Sequence, residues 1–192
     1  MERRCTERGE ASVKKRILLG LISVFKALYN AVYAVMKLRP MQKKVVMISR
    51  QSNSQRPDFE QLGAEIEARD PGVRLVYLCR EMGDTPLELL RYCFHLLHCA
   101  AELSTAHVCI IDGYCIPVSV LHHRKELRVV QVWHALGAIK KFGRQALSVP
   151  GGRDKELAER MGMHKHYDAV LCASHRTACL LYTSDAADDS LR

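Results

Sequence analysis

None of the eight cysteines forms a Cys-x-x-Cys pair with another, and several sit in apolar runs such as Val108-Cys109-Ile110 and Val170-Leu171-Cys172. They read as small buried hydrophobes of a reducing compartment rather than a disulfide or zinc framework. No run of about 18 residues is free of charge, which excludes a multi-span membrane protein. There is no glycine-rich phosphate loop, no Gly-x-Ser-x-Gly elbow and no His-Glu-x-x-His helix, so the commonest NTPase, hydrolase and zinc-protease readings fall away. Aromatic residues are few, at 6%, with a single tryptophan. What is present is ordinary for a folded chain: 48% hydrophobic and 26% charged residues over 192 positions, room for one domain with or without an appendage.

The formal net charge of +8 raises the question of a polyanion partner. Residues 1–44 contain eleven basic residues and three acids, whereas residues 45–192 contain 18 of each sign. The excess belongs to the N-terminal segment, which argues against a basic nucleic-acid face on the body.

Between basic clusters lies Ile17 to Met36, which is the length of a bilayer span but carries Lys26 in its middle. Arg16, Gly20, Ser23, Lys26, Asn30 and Lys37 fall near helical spacing on one side. Leu18, Leu21, Ile22, Phe25, Tyr29, Val32 and Met36 form a broad apolar side. The pattern predicts an amphipathic helix on an anionic leaflet, lysines and arginines toward the phosphates. Its rivals are a helix packed on the protein's own core and an uncleaved signal anchor; a cleaved signal peptide is disfavoured, because no small-residue cleavage site follows.

The body alternates strand and helix. Apolar runs at 45–49, 108–111, 129–133 and 169–174 and an alternating stretch at 73–79 predict strands. Helices are expected at 57–69, from Thr85-Pro86 to about 101 with Leu87, Leu90, Cys93, Phe94, Leu97 and Ala101 on one side, and at 154–162. This is the pattern of an α/β fold with a parallel, Rossmann-like sheet covered on both faces. In such sheets ligands collect beyond the carboxyl ends of the strands, where three polar segments begin: Ser49-Arg50-Gln51, Asp112-Gly113-Tyr114 and Trp133-His134-Ala135.

His134 follows an apolar strand, has small neighbours Ala135 and Gly137, and precedes Lys140-Lys141. An imidazole there suits general-base work on a hydroxyl, and the lysine pair suits phosphate; a structural histidine and solvated lysines are the plainer alternatives. Asp112 either hydrogen-bonds a hydroxyl, orients His134 or caps the following turn. Ser49, Arg50 and Gln51 are candidates for an anionic group, Arg50 being equally a surface residue. His122-His123 and His164-x-His166 have no local carboxylate or thiolate partner, so no metal is expected and exposed loop or helix-end roles are favoured.

The runs Lys44–Gln51 (KVVMISRQ), Asp112–Val118 (DGYCIPV), Gln131–Gly143 (QVWHALGAIKKFG), and Met163–Asp168 (MHKHYD) leading to Cys172–Ser174 (CAS) resemble the CDP-glycerol:poly(glycerophosphate) glycerophosphotransferase family. The resemblance covers about residues 43–178, and Trp-His-Ala-x-Gly-x-x-Lys-Lys-x-Gly is its most specific element. It implies the N-terminal half of a GT-B-type fold, peripheral attachment to the cytoplasmic face of a bacterial plasma membrane, and transfer of glycerol phosphate from CDP-glycerol to a lipid-linked acceptor in teichoic-acid synthesis. The resemblance implies that the motif histidine, here His134, acts as base. Beside it, the reading of the residues themselves supplies Asp112 as its catalytic neighbour and Ser49, Arg50, Gln51, Tyr114, Gly137, Lys140 and Lys141 as expected substrate contacts. CDP-glycerol is a substrate and no cofactor is implied. The donor is held mainly by a second domain with its own essential histidine, and residues matching that domain are not in this chain.

Three segments are expected: a basic membrane-associating segment at 1–42, a Rossmann-like domain at 43–178, and a non-native tail at 179–192. The tail's run CLLYTSDAADD from Cys179 resembles a reading frame of a sequencing-library adapter; a natural acidic tail is the alternative. Rival functions are a CDP-ribitol or nucleotide-sugar transferase on the same scaffold and a non-catalytic membrane-binding module.

Overall fold

The structure, a computed structural model, describes residues 2–132, 154–163 and 165–171, with side chains from residue 13 onward. Its elements in chain order are α1 (Glu2–Met36), β1 (Lys44–Ser49), α2 (Pro57–Arg69), β2 (Arg74–Cys79), α3 (Pro86–Leu103), β3 (Val108–Ile111), α4 (Ile116–Val120), β4 (Arg128–Val132), α5 (Lys155–Arg160) and β5 (Ala169–Leu171). The strands form one sheet in the order β2-β1-β3-β4-β5, and every pairing is parallel. All six residues of β1 are buried, which is why its sequence is a continuous apolar run and not an alternation.

Helix starts follow local chemistry. Pro57 opens α2 with Asp58 and Glu60 in the first turn and Arg69 in the last, each sign at the end of the dipole that favours it. Thr85 and Glu88 close a capping box on α3. The short α4 is not anticipated, because five residues are too few to show a period.

One sheet face carries a core built with α1, α3 and α4, including Tyr33, Ile48, Leu96, Val118 and Val129. The other carries Met47, Phe59 and Ile110, with Leu62 and Ile66 of α2 packed on them. On α3 the buried residues are Tyr92, Leu96, Cys99, Ala100 and Leu103. The stripe singled out from the sequence faces out: Leu87, Leu90, Phe94 and Leu97 are exposed, as is Cys93.

The same inversion governs α1. Its inward row is Leu19, Ser23, Lys26, Tyr29, Asn30, Tyr33 and Lys37, with Tyr33 only 1% exposed. The Tyr29 hydroxyl donates to the Leu96 carbonyl, Tyr33 pairs with His123 Nδ1, and Asn30 donates to the Val120 carbonyl while accepting from the His122 N–H. The Lys26 and Lys37 ammoniums donate to the carbonyls of Arg160 and His122. Lys26, Asn30 and Lys37 thus turn to the domain and not to phosphates, because carbonyls and a loop N–H there accept and supply their hydrogen bonds, and Ser23 accepts from the Arg160 guanidinium. Outward-facing are Leu21, Val24, Leu28, Val32 and Val35, with Leu28 at 64% and Val35 at 67% exposure. Part of the N-terminal basic excess is also paired within the protein: Lys44 is buried on Glu102 and Thr105, and Lys15 pairs at the surface with Asp154 and Glu156. Lys14 and Arg16 are exposed.

His123 is turned in between the Tyr33 hydroxyl and the Val118 carbonyl, and burial pushes its pKa down to about 4. Its neutral form favours the fold, so its contribution is fully present above the ordinary histidine value of about 6.5 and is lost as pH falls toward 4. His95, on α3, is pushed down to about 4 by burial as well. Urea melts at pH 7.5 and 4.5 are expected to show an acid-linked loss on the order of 2–3 kcal/mol from His123, with a smaller, solvent-screened loss from His95. His123→Asn should remove the larger part of that loss.

Gly162 ends α5 with φ +57°, and a Cβ there would lie 2.8 Å from the Ser119 carbonyl oxygen. Gly162→Ala is expected to cost about 2 kcal/mol in a urea melt, since left-handed backbone and a backbone contact both oppose the methyl.

Candidate functional site

The strand order reverses at β1: β2 lies on one side of it and β3 on the other. The loops leaving β1 and β3 therefore diverge to opposite faces, and the gap between their carboxyl ends is where a doubly wound sheet holds ligands. The residues at those ends are Ser49 and Asp112. Both are buried, Asp112 to 3% exposure, and the Ser49 hydroxyl donates to Asp112 Oδ2 at 2.6 Å. The Gln51 N–H donates in turn to Ser49 Oγ at 3.1 Å.

Arg56, which the sequence reading missed, lies with Nε 3.6 Å from Asp112 Oδ2 and with its other end on Asp58. The sequence signal was its place just before Pro57, at the start of α2; the partner is distant in sequence and visible only in the fold. Cys79 ends β2 beside this group. Burial, then the charge of Asp112, push its thiol up, so it is not a poised nucleophile.

Arg50 leaves β1 toward the opposite sheet face. Its guanidinium lies between the rings of Tyr92 and Tyr114, 5.8 and 5.9 Å from their centroids, and Nη1 donates to the Tyr114 carbonyl at 3.3 Å. Its Nε is buried with no hydrogen-bond partner among the described residues. The Tyr114 hydroxyl donates to the Met161 carbonyl at 3.4 Å. Gly113 between them admits Gln51, whose Nε2 would lie 3.4 Å from a Cβ at that position.

Ser49, Arg50, Gln51, Asp112 and Tyr114 are therefore gathered at one edge of the sheet. His134, Gly137, Lys140 and Lys141 lie outside the described residues, as do Cys172 to Ser174 and the tail at 179–192. β4 ends at Val132 on that same edge, since it runs parallel to β3. Gln131, buried with neither side-chain heteroatom partnered among the described residues, is a second polar group that the sequence reading passed over. Its only sequence signal is a glutamine interrupting an apolar strand.

Among the described residues no group of three or more histidine, cysteine or acidic side chains could hold a metal ion. The arrangement offers one positioned carboxyl tied to a serine and near an arginine, and beside it a cation backed by two aromatic rings. Such a set suits a substrate with a hydroxyl at one end and an anionic oxygen nearby.

The sequence model of a family described as CDP-glycerol:poly(glycerophosphate) glycerophosphotransferase matches residues 31–183. The teichoic acid ribitol-phosphate primase of Bacillus spizizenii is 29% identical over 155 residues, 80% of this chain and 40% of that protein. The teichoic acid glycerol-phosphate primase of Bacillus subtilis is 28% identical over 96 residues, 50% of this chain and 25% of its own length. A teichoic acid poly(ribitol-phosphate) polymerase of Bacillus spizizenii is 25% identical over 149 residues, 77% of this chain and 23% of its own. The chain spans less than half the length of these relatives.

Proposed function

The chain belongs to the CDP-glycerol:poly(glycerophosphate) glycerophosphotransferase family, and from that premise we propose that it is the N-terminal, Rossmann-like half of a GT-B-type transferase of teichoic-acid synthesis. The enzyme moves glycerol phosphate from CDP-glycerol to a hydroxyl of a lipid-linked acceptor. His134 takes the hydroxyl proton, and the oxygen attacks the phosphorus that bears glycerol. The pyrophosphate P–O bond breaks and CMP leaves, with Lys140 and Lys141 opposing the charge on the phosphate oxygens. Asp112 orients the base or the acceptor hydroxyl. The observation that carries the reading is the buried Ser49–Asp112 pair at the switch point of a chain with this family match.

CDP-ribitol is the second donor reading, favoured by the 155-residue match to a protein named for ribitol phosphate. The full-length gene product, given labelled CDP-glycerol and CDP-ribitol with a lipid-linked acceptor, is expected to release CMP from one of them. No release from either, with vesicle binding retained, supports the non-catalytic membrane module instead.

Peripheral attachment to the cytoplasmic face of the membrane is the localisation we propose. Its support is α1, whose Val13–Met36 stretch is long and apolar enough to cross a bilayer. The helix is fastened to the domain through its tyrosines and polar side chains, which leaves the outer row for the apolar phase and keeps the axis along the surface.

A further inference from the structure

We infer that the groove between α1 and α5 holds one hydrocarbon chain of a phosphate-headed lipid, with the phosphate on Arg50. The inference deepens the membrane-facing reading of α1 and rests on it. The groove measures about 660 Å³, within the range of pockets that enclose a small ligand. Leu18, Leu21 and Phe25 of α1 form one wall, and Leu157 and Met161 form the other. Leu18, Leu21 and Phe25 also belong to the outward apolar side of α1, so the groove opens onto the surface assigned to the bilayer. A chain can pass from one apolar medium to the other without crossing water.

Charge complementarity selects the head. Among the described residues the charged groups lining the groove are Arg50 and Asp154. Asp154 is already engaged by Lys15 and by the Leu157 N–H. Arg50 has no carboxylate partner there, one bond to a carbonyl at 3.3 Å, and a buried Nε with no acceptor. A guanidinium held in apolar surroundings without an anion is costly, and its planar fork matches two phosphate oxygens. Tyr92 and Tyr114 flank the guanidinium and fix its direction. Arg50 also follows Ser49 directly, so a phosphate bound there lies beside the Ser49–Asp112 pair and brings the lipid's polar part to the edge where transfer is proposed.

The test uses the 192-residue chain and decyl phosphate held below its micelle-forming concentration, with decanol and inorganic phosphate as chain-only and head-only probes. Calorimetry is expected to show saturable one-to-one binding of decyl phosphate that equimolar inorganic phosphate does not displace. Arg50→Gln should weaken decyl phosphate at least tenfold and leave decanol unchanged. Leu157→Trp, with its fold checked by circular dichroism, should weaken both. Equal decyl phosphate binding by Arg50→Gln and the parent, or no saturable binding, overturns the inference. Flotation with anionic vesicles run in parallel separates the two claims: flotation without decyl phosphate binding removes the groove alone, and absence of flotation removes the membrane reading beneath it.

Discussion

In the full-length gene product, His134→Ala is expected to lower CMP release by two to four orders of magnitude, the usual worth of a positioned general base. Asp112→Asn is expected to lower it by about a hundredfold or more, because the amide keeps the shape but gives the base or the hydroxyl a donor where it needs an acceptor. Asparagine is the informative replacement. Asp112 is buried on Ser49 and beside Arg56, and alanine would strand both partners and confound activity with folding. Donor KM should change little in either variant, since both residues are proposed to act on the acceptor hydroxyl. Near-normal turnover in His134→Ala removes the assignment of the base.

The second large effect concerns the membrane. Leu28→Glu combined with Val35→Glu is expected to reduce binding to anionic vesicles by about a hundredfold or more, through lost apolar contact and added repulsion. The melting midpoint should stay close to that of the parent, because both side chains face outward and surface changes usually shift stability by less than about 0.5 kcal/mol. Tyr33→Ala on the opposite side of the same helix should do the reverse and destabilise the fold, by about 3 kcal/mol or more. Flotation of the double variant equal to the parent's contradicts the assignment of the outer row to a bilayer.

Strands and their direction were legible because a parallel sheet buried on both faces leaves continuous apolar runs such as VVMI at Val45–Ile48 and VCII at Val108–Ile111. The positions of Ser49 and Asp112 were legible for the same reason: a polar residue that ends such a run sits at the carboxyl edge of the sheet. Helix orientation was not. On α1 and α3 apolar residues outnumber what one core face can cover, so periodicity shows two apolar sides and cannot rank them. The deciding contacts are tertiary. Tyr29 reaches the Leu96 carbonyl, Asn30 the Val120 carbonyl, and Tyr33 a histidine ninety positions on, and none of these partners leaves a mark near α1 in the sequence. Arg56 escaped notice likewise, because its bond to Asp58 is local and ordinary while its approach to Asp112 joins the ends of two neighbouring strands that are far apart in sequence.

The most direct test is a double-mutant cycle on transfer by the full-length gene product, with kcat measured for the parent, His134→Ala, Asp112→Asn and the double variant at saturating donor. If the switch-point carboxyl and the motif histidine act as one unit, the double variant falls no further than His134→Ala alone. Losses that multiply, each residue contributing its full factor independently of the other, would contradict a shared site.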